Sequence, residues 1–269
     1  MRLSWLCEQD PLWIVLILAA GMMLAAELGY RAGRWWHPKA EEPARDHFGA
    51  IRSSLLGLLA LLLAFSFGMS AQRYEMRREL VVQDTTPLQA LYLRSSLLPD
   101  PQRGQFKRLL REYVDVRADD RLLERDLTSQ EVAEAAARSE GLHAKMWQSV
   151  KSMAQQDPPL EQADEMLTLL IQSSTTHSRR VQAYLSRVPD AIVWLLLGTA
   201  VVAMVAVGFS GGLHKHRGML ARLLLCLVVC GTVFVVLEMD RPGRGVLKVD
   251  QGPMVRLKHL VDRDAEAGE

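Results

Sequence analysis

The chain has 269 residues, of which 49% are hydrophobic and 23% charged, and its formal net charge is +1. A balance so close to neutral gives no support to nucleic acid or to an acidic substrate as a partner. The three cysteines are too few for a disulfide framework. Apolar residues cluster near both ends and charges fill the middle, which indicates a membrane protein with a polar insertion.

The first apolar segment, Leu12–Tyr30, is long enough to cross the hydrocarbon core of a bilayer. Acidic residues precede it and no small-residue cleavage site follows, so we interpret it as a retained membrane helix and not a signal peptide. Glu27 lies in its last turn, where a lone carboxylate is costly, and Arg31 follows on the same face. An interfacial ion pair is the favoured interpretation of these two residues, and a functional carboxylate is the alternative.

The stretch Ser53–Gln72 organises the rest of the chain. It is apolar and uncharged and is about 20 residues long, enough for a second membrane crossing. A charged helical pattern follows it without Gly or Pro until Pro87. This pattern predicts one long helix that crosses the membrane and continues to Arg94, with Pro87 kinking it or starting a new helix.

Two sets of residues on this helix suggest different roles. Small residues at spacings of three and four permit close helix packing, namely Gly57, Ala60, Ala64 and Gly68. Other faces carry residues from which a hydrophobic channel constriction could be built, namely Leu58, Leu61, Leu62, Phe65, Ser66 and Met69. A buried helix contact uses the same residue types, and the spacing alone favours that simpler interpretation.

The polar middle of the chain contains no alternating strand pattern and no hairpin dipeptide, so helices are predicted throughout it. The further helices are predicted at Gln102–Leu127, Thr128 to about Gln156, Leu160–Arg187, Ala191–Phe209 and Met219–Leu237. The last two are the third and fourth membrane helices. The tail after them is amphipathic through Val261 and is expected to end in a disordered acidic segment.

These elements predict an all-α integral membrane protein with four transmembrane helices. Membrane helices 1 and 2 (about 12–30 and 53–72) lie in residues 1–72. A helical extramembrane region, continuous with helix 2, covers 73–189. Membrane helices 3 and 4 (about 191–209 and 219–237) lie in 190–240, and the tail covers 241–269. The two short loops are basic, which favours an external middle region. Arginines also flank the membrane on the opposite side, so the sidedness stays open.

Sequence signals for catalysis and for bound cofactors are missing. No phosphate-binding glycine loop and no nucleophile elbow occur, and the histidines are scattered. His214 and His216 flank Lys215, whose charge would repel a divalent cation, so a solvated basic loop is favoured over a metal site. We therefore expect no enzyme, no cofactor and no metal.

Five ordered blocks of the chain resemble the bacterial bestrophin-like domain family, which has no settled function and is distantly similar to bestrophin anion channels. The blocks are Leu56–Phe67, Arg73–Val82, Tyr92–Pro99, Leu109–Arg117 and Met239–Pro253. The family usually carries the run E-A-N-A-I-G-T-A before the third block. Here Asp84 keeps an acid, but the Asn and Gly are replaced and Pro87 has entered, so a binding or gating element formed by this run would be lost or altered.

The resemblance implies a bestrophin-like, multi-pass protein of the bacterial inner membrane that self-associates, as a pentamer, around a pore lined by the second helix. Leu62, Phe65, Ser66 and Met69 would then lie near the constriction, and Arg73 and Arg77 would lie at a mouth. Rings of arginine would favour anions such as chloride. The calcium clasp of animal bestrophins has no counterpart, so calcium gating is not expected.

The alternative is a non-conducting, membrane-anchored interaction or sensing protein whose helical middle docks a partner. It predicts that the other three membrane helices cover the second one within a subunit, so the face left unburied discriminates the two hypotheses.

A separate hypothesis concerns structural coupling at the end of the fourth helix. Arg241, next to Asp240, would pair with an acid on the extended second helix: Glu75, Glu79 or Asp84. Its alternative is a helix-end turn with a snorkelling arginine.

Overall fold

The computed structural model describes residues 11–37, 42–118, 129–156, 161–186, 189–214, 217–240 and 249–267. Within them the chain forms eight helices and no strand, which confirms the predicted all-α fold. The helices are α1 (Pro11–Trp36), α2 (Glu42–Ser95), α3 (Gln102–Ala118), α4 (Ser129–Ala154), α5 (Ala163–Leu185), α6 (Asp190–Leu213), α7 (Met219–Asp240) and α8 (Gly252–Ala267).

Four helices of this described part are long and apolar enough to cross a membrane, namely α1, α2, α6 and α7. They confirm the four predicted spans, although each helix is longer than its apolar core. The third span was predicted to end at Phe209, but α6 continues through Ser210, Gly211 and Gly212 to Leu213. In lipid a helix satisfies its own backbone groups, which favours continuing it through glycines that pack against a neighbour.

The chain divides into two compact units. The membrane unit comprises Met1–Arg73 and Arg187–Arg241, and the helical unit comprises Tyr74–Ser186 and Pro242–Glu269. The membrane unit therefore holds α1, α6, α7 and the first part of α2. The helical unit holds the rest of α2 together with α3, α4, α5 and α8.

The membrane unit is held by a close approach between α1 and α6. A Cβ atom built on any of four glycines would overlap backbone of the other helix, in the pairs Gly29–Val205, Gly33–Phe209, Gly208–Ala26 and Gly212–Tyr30. From Gly29–Val205 to Gly33–Phe209, and from Ala26–Gly208 to Tyr30–Gly212, the residue numbers of both helices increase by four, so the two helices run parallel. Both carry the Gly-x-x-x-Gly spacing that lets backbones touch in lipid.

The helical unit has a core of large side chains contributed by α3, α4, α5, α8 and the end of α2. Its members include Phe106, Tyr113, Met146, Met166 and Leu257.

Pro87 neither ends α2 nor starts a new helix there, contrary to one of the predicted possibilities. Leu88 and Leu91 beyond it are fully buried in the core of the helical unit, and this burial offsets the missing backbone hydrogen bond.

The last described residues of the tail belong to α8, which extends to Ala267. Two acidic residues of this helix form salt bridges with α3. Asp262 pairs with Arg111 at 2.8 Å, and Asp264 pairs with Lys107 at 2.7 Å. The acidic residues Asp262 and Asp264 thus attach α8 to α3.

Candidate functional site

The second membrane helix is the least covered of the four spanning helices. In its most apolar window 17% of the residues are buried, against 28%, 28% and 33% in the other three. The buried side of α2 within the membrane unit consists of Leu59, Leu63, Ser66 and Ser70. The opposite side is not covered by any residue that the structure describes.

We call the uncovered side the exposed stripe: Gly57, Leu61, Ala64, Phe65, Gly68 and Gln72. These residues recur every three or four positions and so share one face of the helix. Leu61 is 52% exposed and Phe65 is 63% exposed. A Cβ atom built on Gly57 or Gly68 would meet no heavy atom within 4 Å.

The small residues singled out for helix packing, Gly57, Ala60, Ala64 and Gly68, are therefore all exposed. Packing onto them within the protomer is absent from the part of the chain that the structure describes. None of the eight described helices packs on this face.

The residues assigned to a constriction spread over two sides of α2. Phe65 lies on the exposed stripe, and Leu62 and Met69 are half-buried beside it. Ser66 is only 2% exposed, and its hydroxyl has no hydrogen-bond partner among the described residues. Ser66 thus lies on the buried side of the helix, because a rotation of about 100° per residue separates it from Phe65.

Arg73 pairs with Asp240 at the end of α7, with 3.6 Å between Nη1 and Oδ1. Both side chains are largely buried, at 22% and 13% exposure. Asp240 was grouped with its neighbour Arg241 in the coupling hypothesis, but Arg241 lies outside the described residues. The observed contact joins α2 to α7 within the membrane unit.

Arg77 is buried in the helical unit, with 1% of its surface exposed. Its Nε donates to the carbonyl oxygen of Ala183 at 3.0 Å, and its Nη2 donates to that of Ser186 at 2.8 Å. These carbonyls belong to the last turn and the C-cap of α5, where backbone acceptors lack helical partners. Arg77 therefore caps a helix in the protomer and does not present its charge on the exposed stripe.

A buried ionic cluster lies further along α2, in the helical unit. Asp84 has no exposed surface and accepts bonds from two arginines. Nη1 of Arg117 lies 3.0 and 3.1 Å from its two oxygens, and Nη1 of Arg180 lies 2.9 Å from Oδ2. Ser139 accepts from Arg117 at 3.2 Å, and Gln251 accepts from Arg180 at 2.7 Å. The cluster joins α2, α3, α4, α5 and the segment before α8.

Sequence reasoning identified Asp84 but not its partners. Asp84 and Glu79 were both candidate partners of Arg241. Asp84 pairs with Arg117 and Arg180, and Glu79 accepts a hydrogen bond from Gln83 at 2.8 Å. Because Arg241 lies outside the described residues, its pairing with either acid stays a prediction. Arg117 closes one of the family-like blocks, which was the available signal for its importance.

His177 on α5 lies beside this cluster. Burial, followed by the charge of Arg117, lowers its pKa from 6.5 to about 4. The imidazole is therefore neutral at pH 7. Within the described residues no group of three or more His, Cys, Asp or Glu side chains could hold a metal ion.

The fold and its exposed second helix define an all-α membrane protein with four spanning helices and a helical extramembrane region between the second and third. A model of the family described as Bestrophin-like domain matches residues 54–254. The chain therefore belongs to the bestrophin-like domain family.

Solved structures resemble the chain over nearly its full length. A single-residue variant of a bacterial bestrophin homologue from Klebsiella pneumoniae has a TM-score of 0.69 and 13% sequence identity, covering 95% of this chain and 97% of its own. Another structure of a bestrophin homologue from the same organism has a TM-score of 0.65 and 15% identity with the same coverage. A search of the curated proteins gave no match.

Proposed function

We propose that the protein is a homo-oligomeric ion channel of the bacterial inner membrane in which α2 lines the pore. The observation that carries the proposal is the exposed stripe on the longest helix, which no described residue of the protomer covers. The small residues of the stripe allow neighbouring copies to approach closely. Membership of the family suggests five subunits around the axis.

The proposed constriction is formed by Leu61 and Phe65, the two large apolar side chains of the exposed stripe. Rings of such side chains gate a pore by excluding water. Leu62 and Met69 flank the constriction as half-buried residues. Ser66 supports it from the buried side of the helix.

For the permeating ion we propose anions, with chloride as the first to test. This part rests on the family resemblance. In the protomer Arg73 is paired with Asp240, and Arg77 caps α5, so these two charges give the anion preference less support than the sequence pattern suggested. The exposed charges on the next turns of α2 are Glu75, Arg78 and Glu79, of which Glu75 and Arg78 pair at 3.6 Å.

The alternative of a non-conducting interaction protein predicts a second helix that the other three cover within a subunit. The exposed stripe supports the channel over this alternative.

The test is the oligomeric mass in mild detergent together with ion flux into liposomes made from the same sample. Replacing Phe65 by Ala should widen the constriction and raise flux severalfold. Phe67→Ala is a matched control, because Phe67 is also exposed, at 43%, but points about 160° away around the helix. A monomer without flux would refute the channel, and equal effects of the two substitutions would refute the assigned pore face.

A further inference from the structure

A cluster of charged side chains lies in the membrane unit where α1 ends and α7 begins. We call it the interfacial cluster: Glu27, Tyr30, Arg31, Arg217 and Arg222. Glu27 lies 3.1 Å from Arg31, which confirms the predicted ion pair, and also 3.8 Å from Arg217 and 4.0 Å from Arg222. Three guanidinium groups thus share one carboxylate, which leaves an excess of positive charge among these residues.

The innermost cation of the cluster lacks an acceptor. Arg222 is 6% exposed, and its Nη2 is buried with no hydrogen-bond partner. Its approach to Glu27, at 4.0 Å, is too long for a hydrogen bond. Its other contact is with the face of Tyr30, 4.9 Å from the ring centroid. A buried guanidinium is normally hydrogen-bonded, so Nη2 of Arg222 lacks the acceptor that its burial calls for.

The cluster is placed at the depth of lipid headgroups. Arg222 lies in the first turn of the span Met219–Asp240. At the end of α1 the side chains of Trp35 and Trp36 are exposed, as in the aromatic belts of membrane proteins. The side chains of Arg31 and Arg217 are 74% and 69% exposed, so the cluster is open on its outer side.

We propose that the interfacial cluster binds a phosphate group, with Arg222 as its inner ligand and Arg217 and Arg31 as its outer ligands. Guanidinium groups donate to phosphate oxygens in parallel pairs, and the excess positive charge favours an anion. Tyr30 supports the planes of Arg217 and Arg222 by cation–π contacts at 5.5 and 4.9 Å. The depth of the cluster favours the phosphate of an anionic lipid over free phosphate. This inference does not depend on the channel proposal.

The test measures binding to the full-length protein in mild detergent, by native mass spectrometry and by thermal unfolding. The probes are phosphatidylglycerol, phosphatidylcholine and inorganic phosphate. Phosphatidylglycerol should remain bound and raise the unfolding temperature, and Arg222→Gln should weaken it about tenfold. Arg34→Gln is the matched control, since it removes an exposed charge from the same end of α1 outside the cluster.

Further variants separate ligand binding from a structural role. Glu27→Gln removes the internal anion and should therefore strengthen lipid binding, whereas a purely structural ion pair predicts loss of stability without any gain in binding. If Arg222→Gln does not fold, Arg217→Gln decides the question, because that side chain is exposed. Tight retention of inorganic phosphate would identify free phosphate as the source.

Three outcomes overturn the proposal. The first is full phosphatidylglycerol binding by the Arg222 and Arg217 variants. The second is equal weakening by Arg34→Gln, which would indicate general surface charge. The third is a wild-type protein that retains neither phosphatidylglycerol nor inorganic phosphate.

Discussion

The two units of this chain are packed by different means. In the membrane unit α1 and α6 touch through backbone, and alanines such as Ala26, Ala200 and Ala203 fill much of the core. In the helical unit the core consists of large side chains such as Phe106 and Met146, and it surrounds a buried ionic cluster. Lipid tails are as apolar as a leucine side chain, so the hydrophobic effect drives packing only outside the membrane.

Small residues occur both on buried and on exposed helix faces of the membrane unit, and only the exposed ones are available to another protomer. Small residues that are buried, such as Gly29 and Gly208, hold helices together within the protomer. The same type of residue on the exposed stripe, Gly57 and Gly68, has no such neighbour. Close packing by small residues thus already occurs inside the membrane unit, and the exposed stripe carries the same type of residue where the proposed oligomer would need it.

The largest expected effect is in the helical unit, at Asp84. Asp84→Asn should destabilise the protein by about 3–5 kcal/mol, because it leaves Arg117 and Arg180 buried without their carboxylate. Unfolding in denaturant would measure the loss, and hydrogen exchange should localise it to α3 and α5. Glu75→Gln is the control, since its pair with Arg78 is exposed and should contribute less than about 1 kcal/mol. Equal costs for both would contradict the buried-cluster interpretation.

The next effect is in the membrane unit, at Gly208. Gly208→Ala should cost about 3 kcal/mol, because the added methyl group overlaps the backbone of Ala26 and Tyr30 and must push α1 away from α6. Gly198→Ala on the same helix is matched to it, as Gly198 has open space around its Cβ position. The unfolding temperatures of the two variants give the comparison. A tolerated Gly208→Ala would mean that α1 and α6 do not touch through backbone.

Much of the fold could be predicted from the sequence, because a membrane-spanning helix can be recognised from its own hydropathy without knowing which helices lie beside it. The four spans, the helical middle region and the long second helix all follow from hydropathy and periodicity. The packing of α1 on α6 also had a signal, in the spacing Gly29 to Gly33 and Gly208 to Gly212. Small residues recur at similar spacings on α2, so spacing alone does not say which helices touch.

Side-chain partners could not be predicted in the same way. Helical periodicity assigns a residue to a face but does not say what lies opposite that face. Arg117 is 33 positions from Asp84 and Arg180 is 96 positions away, so no local pattern links them. For the same reason the sequence was equally compatible with Arg77 at a pore mouth and with Arg77 as the helix cap that it forms. Partners across helices depend on tertiary packing.

The smallest expected effect is the pH dependence that His177 gives to the stability of the helical unit. His177 has a folded-state pKa of about 4 against 6.5 unperturbed, so the unfolded chain binds its proton first as the pH falls. Stability that is complete above pH 6.5 should therefore decrease towards pH 4, by about 2 kcal/mol at pH 4.5. Arg117, Asp84, Arg180 and His143 are the charged or titratable groups that act on the ring.

His177→Gln should remove this slope between pH 7 and pH 4.5, measured as the denaturation midpoint of the helical unit by hydrogen exchange or fluorescence. The exposed His47 of the membrane unit is the control, and His47→Gln should leave the slope in place. An unchanged slope in His177→Gln would assign the pH dependence to other groups. A slope that disappears in His177→Gln alone would mean that acid acts on the helical unit through the buried imidazole beside the ionic cluster.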